Sequence, residues 1–197
     1  MRIFGYILFL LLLLIWGCTN PFTTREIEEP DINNSSDIFD QPISHEVVLN
    51  NFRYAIIQKN ISNYMNCFVE PSLAYNFTYK YLPDRSIESE KFLDWDLTYE
   101  RIYLNTVFNQ SIDISLEYLD EIVYTNISQS PDSVQTNSFR YELRISFESE
   151  ESIFTGLARM KLIKNMNAMW AIYFWEDSKP ADLERNSWSN LKANYKN

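Results

Sequence analysis

The feature that most constrains this fold is the regular alternation of apolar and polar residues in the second half of the chain. Phe139, Tyr141, Leu143, Ile145 and Phe147 alternate with Arg140, Glu142, Arg144, Ser146 and Glu148; Ile112, Ile114, Leu116 and Tyr118 alternate with Asp113, Ser115 and Glu117. Successive strand side chains point to opposite faces, so a period of two predicts strands with one face on a core and the other in water, the habit of antiparallel sheets. The acidic loop Ser149-Glu150-Glu151-Ser152 leads into a third run, Ile153 to Ile163, and Lys164 to Asn167 leads into a fourth, Ala168 to Trp175. Long strands with short connections predict a curled antiparallel sheet of three or four neighbours.

The first half has a different period. Ser44 is a suitable N-cap, with Ile43 placed to staple onto Val48, and Val48, Phe52, Ala55, Ile56 and Lys59 recur at steps of three and four. This predicts a helix over 45–59 and, after a break at Asn60, a short one through Ile61, Tyr64, Met65 and Phe68 that Pro71 closes. Tyr75, Phe77 and Tyr79 then alternate with polar neighbours, predicting a strand that ends at Pro83 and Asp84. From Ser89 to Phe108 the helical period returns, with a break at Asp96 that can cap a second piece. The tail from Asp182 through Trp188 and Leu191 reads as a terminal helix. Helices grouped ahead of an antiparallel sheet indicate an α+β domain over 44–197.

Ahead of that domain, Arg2 is followed by an apolar run from Ile3 to Trp16 and then by Gly17 and Cys18. About 20 apolar residues are needed to cross a hydrocarbon core. This run is shorter, and Gly-Cys-Thr-Asn-Pro ends it, so it has the layout of a secretory signal. Ile15-Trp16-Gly17-Cys18 resembles the lipobox of bacterial lipoproteins, with Trp16 standing where a smaller residue is usual. That resemblance implies cleavage of residues 1–17, diacylglycerol on the Cys18 thiol, and a chain held at the membrane by a lipid anchor. Thr19, in place of an aspartate, implies sorting to an outer membrane of the bacterial envelope. An uncleaved apolar anchor is the alternative, and it also leaves the rest of the chain outside the cytoplasm.

Residues 18–43 carry Glu26, Glu28, Glu29, Asp31, Asp37 and Asp40 against Arg25 alone, with Pro21, Pro30 and Pro42. Too little apolar periodicity is present to offset the entropy of ordering, so this stretch is expected to be a disordered acidic tether. Without residues 1–17 the chain has 16 basic against 27 acidic residues. Such a surface is a poor electrostatic partner for nucleic acid.

Composition excludes further chemistry. Gly156 is the single glycine after the signal, so neither a phosphate-cradling loop nor a dinucleotide fingerprint is available, and no cofactor is expected. One histidine, His45, and one cysteine besides Cys18 do not make a usual zinc site. Asp94-Trp95-Asp96 and Glu148-Ser149-Glu150-Glu151 lack the spacing of a calcium loop, so no metal is expected. Cys67, in Tyr64-Met65-Asn66-Cys67-Phe68, reads as a packed thiol; a Cys18–Cys67 disulfide is the option that competes with lipidation.

The element order, the passage from the Phe52–Phe68 helices into Leu73-Ala74-Tyr75-Asn76-Phe77, and the late pair Gly156-Leu157-Ala158-Arg159-Met160 and Trp170-Ala171-Ile172-Tyr173-Phe174-Trp175-Glu176-Asp177 together resemble the cone fold of nuclear transport factor 2 and ketosteroid isomerase. The resemblance implies a concave sheet whose mouth takes a small apolar ligand. Tyr75, Phe77, Trp95, Tyr118, Tyr141 and Trp175 are then either its lining or simply its filling. Enzymes of that family carry an aspartate, or a histidine and aspartate pair, inside the cone. No residue here matches such a set position by position, and Asp113, Glu117, Glu142 and Glu148 fall on solvated strand faces. Three functions follow as expectations: a tethered domain that binds a ligand or protein partner without catalysis, a lyase or isomerase for a small apolar ligand, and a subunit of an envelope assembly.

Overall fold

The computed structural model describes residues 38–195 apart from 129 and 181–183. The signal, Cys18 and the tether as far as residue 37 lie outside the described residues, and so do the expectations made for them. The chain is already held at Asp40: its N–H donates to Asn51 Oδ1 at 3.1 Å, while Asn51 Nδ2 donates to the Asp40 carbonyl at 2.6 Å. Phe39 packs against the core as well, so order begins ahead of Ser44.

Helix α1 spans His45–Ile57, with Val47 N–H donating to the Ser44 hydroxyl at 3.4 Å, and it buries Val48, Leu49, Phe52, Ala55 and Ile56 on one stripe. It stops short of the expected residue 59 because Lys59 turns left-handed, with φ 52°. Ile43 is 68% exposed and does not serve as a staple. Asn60 caps α2, Ile61–Met65, accepting the Asn63 N–H at 3.0 Å. The strand expected from Tyr75 up to Pro83 is corrected at its start: Tyr75 and Asn76 both have positive φ, 52° and 63°, a conformation no strand accommodates. They close a turn in which the Asn76 N–H donates to the Pro71 carbonyl. The strand forms later, as β1, Lys80–Leu82.

A 3-10 turn, Ser89–Phe92, precedes α3, Leu97–Gln110. The break falls at Asp96, whose carboxylate accepts the N–H groups of Thr98 and Tyr99 at 2.8 and 3.1 Å. The sheet continues with β2, Asp113–Tyr118, β3, Tyr124–Ile127, β4, Ser130–Thr136, β5, Phe139–Ser146, β6, Glu151–Lys164, and β7, Trp170–Ser178. Among the described residues seven strands therefore stand where four long ones and one short one were expected. The additional hairpin, β3 and β4, has a mostly polar sequence with a proline, so no period of two marks it.

Strand β6 organises the sheet. Its first half pairs with β5, from Ser146↔Glu151 to Phe139↔Ala158, and its second half pairs with β4 through Ser133↔Ile163 and Gln135↔Lys161. Along the other edge β7 pairs with it antiparallel, with a register shift at Lys161/Leu162. One strand shared between two hairpins, with a bulge where the partners change, bends the sheet into a curl. β1 adds to β7 in parallel and β2 adds to β5. The result is an α+β domain with α1 packed on β2 and β7 inside the curl. The last helix, α4, spans Trp188–Asn194, six residues beyond the expected start, and packs on β6 and β7.

Candidate functional site

The interior of the curl contains charge. Helix α3 presents Tyr103, Leu104, Val107 and Phe108 to the core, and Glu100 lies on that same buried face with no exposed surface. Four donors converge on its carboxylate. Tyr79 Oη, Trp95 Nε1 and Lys192 Nζ donate to Oε1 at 2.7, 2.8 and 2.5 Å, and Tyr64 Oη donates to Oε2 at 2.9 Å. Three of the four donors share Oε1 and one reaches Oε2, so both oxygens are held by protein groups.

Lys192 comes from α4 and is likewise 0% exposed. Its Nζ lies 3.5 Å from the Tyr81 ring centroid and 3.6 Å from that of Trp175, with Tyr103 and Trp95 at 5.4 and 5.7 Å. Burial pushes its pKa down to about 8, with the Glu100 charge opposing that shift. One turn earlier Trp188 stands edge-on to Trp175 at 4.8 Å and donates its indole N–H to Tyr103 Oη at 3.1 Å. Trp188 and Lys192 are four apart, so they project from one face of α4, and together they fill the cone.

A second carboxylate anchors the same helix. Asp177 on β7 accepts Tyr141 Oη at 2.6 Å on Oδ1, and Ser189 N–H and Oγ at 2.7 and 2.5 Å on Oδ2. Tyr141 Oη accepts the Trp188 N–H in turn, at 2.7 Å. Burial raises the Asp177 pKa, while the Ser189 and Tyr141 hydrogen bonds hold it down. Burial first, and the neighbouring carboxylates second, raise the phenols of Tyr64, Tyr79, Tyr81, Tyr103 and Tyr141. They are therefore protonated hydrogen-bond donors at neutral pH rather than bases.

Of the six aromatic residues expected at the mouth, the structure brings three to this interior. Trp95 and Trp175 stand around Lys192, and Tyr141 packs 5.4 Å from Trp188. Tyr118 is half-buried elsewhere, edge-on to Phe139, with its hydroxyl on the Leu49 carbonyl at 3.1 Å. Phe77 packs edge-on to Tyr173, and Tyr75 is 57% exposed. The last two line a surface cleft of about 320 Å³ with Lys80 and Phe174. A separate open groove of about 630 Å³ runs past Phe39, Phe68, Val69, Leu97 and Trp170.

Sequence reasoning missed Glu100, Lys192 and Trp188. The signal was present: Glu100 holds a position in the apolar register of Tyr103, Leu104 and Val107, and Lys192 follows Trp188 by four, beside Leu191 and Ala193. An ionisable residue in an apolar stripe needs a buried partner. Cys67 is buried, its Sγ against the Asn63 carbonyl at 3.3 Å, and burial raises its pKa. Glu142 is ion-paired with Arg144 and Arg185. Among the described residues no group of three or more His, Cys, Asp or Glu is placed to hold a metal. No helix among the described residues is long and apolar enough to cross a membrane.

No known family's sequence profile matches this chain. No curated protein matches it either. Solved structures do. A nuclear transport factor 2-like superfamily protein from Salmonella enterica superposes with a TM-score of 0.50 at 12% identity, over 71% of this chain and 92% of that one. A protein from Novosphingobium aromaticivorans assigned provisionally as a scytalone dehydratase gives 0.53 at 10% identity, over 72% and 89%. A nuclear transport factor 2-like protein of unknown function in nutrient uptake from Rhodospirillum rubrum gives 0.52 at 8% identity, over 70% and 98%. The domain thus has the nuclear transport factor 2-like fold, and at these identities the likeness is one of fold.

Proposed function

We propose that this chain is a lipid-tethered envelope protein whose cone-shaped domain binds or braces rather than catalyses. The observation that carries the non-catalytic reading is the enclosure of Glu100. A general acid or base must reach the proton it moves. Here the carboxylate has four protein donors and no exposed surface, and the space a substrate would take holds Trp188 and Lys192. The tethering reading is supported by Ile15-Trp16-Gly17-Cys18 after an apolar run and by the acidic, proline-bearing stretch that follows. With two or more acyl chains membrane attachment is stable, whereas one chain is marginal.

The test is Cys18→Ala in cells of the source bacterium, followed by radiolabelled palmitate and fractionation. Label and membrane association are expected to disappear together. Unchanged label and fractionation reject the tether. A second reading, lyase or isomerase chemistry on a small apolar ligand, is favoured by the two carboxylates in one aromatic interior, Glu100 and Asp177. It requires α4 to leave the cone during turnover.

A further inference from the structure

Among the described residues Lys192 is the one fully buried cation, and its surroundings are those of a bound ligand. Two ring faces lie within 3.6 Å of the ammonium, two more rings stand within 5.7 Å, and a carboxylate closes the cage at 2.5 Å. Aromatic faces attract a cation through the ring quadrupole, most strongly where water is excluded, and this is how organic ammonium ions are recognised. Tyr81, Trp175 and Tyr103 belong to β1, β7 and α3, and Trp95 to the link between the 3-10 turn and α3, whereas the ammonium comes from the last helix. The carboxylate is oriented without that helix: Tyr64, Tyr79 and Trp95 all donate to it.

We propose that the cone interior is a binding site for a primary alkylammonium, and that the chain fills it in cis with Lys192. A ligand attached to its own site has a high effective concentration, so free amine does not enter while α4 is seated; it enters when the lysine is withdrawn. The inference rests on the reading of the cone as a binding space, and it is independent of the lipid at Cys18. Loss of palmitate label with the amine response intact, or the reverse, tells the two failures apart.

The test is thermal melting of Lys192→Ala in the otherwise intact chain at pH 7, with butylammonium, 1-butanol or Nα-acetyl-lysine amide added. Lys192→Ala is expected to melt below the parent. Butylammonium should then raise its midpoint saturably, by about 5 °C near full occupancy. The neutral butanol should not, the parent should not respond, and adding Glu100→Gln should abolish the effect. A response to butylammonium alone assigns a free amine as the ligand; a response to acetyl-lysine amide as well assigns a lysine side chain from another protein. Equal shifts with butanol and butylammonium, or none with either, overturn the proposal. If Lys192→Ala does not fold unaided, recovery of native tryptophan fluorescence on adding butylammonium replaces the midpoint. Recovery with the amine only supports the site, and no recovery with either compound overturns it.

Discussion

Lys192 Nζ stands 2.5 Å from Glu100 Oε1, joining the last helix to α3 through the interior of the cone, with neither side chain reaching solvent. Removing one partner of such a pair leaves an uncompensated buried charge and costs about 3 to 5 kcal/mol, whereas replacing both is often far milder. Lys192→Met and Glu100→Gln are each expected to lose stability on that scale. The double variant should lose clearly less than the sum, because the amide carbonyl that Glu100→Gln introduces still accepts from the surrounding phenols. Urea denaturation of all four proteins checks this, and strict additivity contradicts the coupling.

The lysine also sets a pH dependence. Burial takes it from an ordinary 10.5 to about 8 in the folded chain, against the Glu100 charge. Between those values the unfolded chain binds more protons than the folded one, so stability rises with pH. The penalty is complete below about 8 and relieved above it. The buried phenols act oppositely near and beyond pH 10, since the unfolded chain ionises them first. Unfolding free energy should therefore climb from pH 8 toward 10 and then fall. Lys192→Met should remove the climb and leave the fall.

Gly156 faces Tyr141 across β5 and β6, and its missing side chain is used. A Cβ there would lie 2.4 Å from Tyr141 Oη. That hydroxyl cannot swing aside freely, because it donates to Asp177 and accepts from Trp188 N–H. Gly156→Ala is expected to cost about 1 to 3 kcal/mol through overpacking. The damage should extend to α4, seen as faster amide exchange at Trp188 and Ser189. An unchanged melting midpoint would refute this account of the glycine.

Cys67 should behave as core. With the thiol buried and its pKa raised, reaction needs local opening. In Cys18→Ala the remaining thiol should react with a disulfide reagent only after denaturant is added, at the rate of unfolding. Rapid labelling of the native chain would show it to be accessible.

Much of the scaffold was legible because local rules and tertiary structure agree there. The stripe of α1, the break at Asp96 and the alternation of β2 and β5 each follow from one period and one burial direction. They misled where a pattern had another cause. Tyr75 and Phe77 alternate like strand residues, yet two left-handed residues turn the chain there, and β3 with β4 pairs through its backbone with almost no apolar residues to announce it.

By itself, then, the amino-acid sequence determined the element periods, the α+β class and the acidity of the chain, because these depend on residues near one another or on simple sums. Only the tertiary structure decided what occupies the cone. Glu100 and Lys192 are 92 residues apart, and although each sits in an apolar register, neither register names the other as its partner. Their meeting depends on how far the sheet curls and where the last helix lands, and that meeting makes a cage that recognises an ammonium ion out of residues that separately suggest only core.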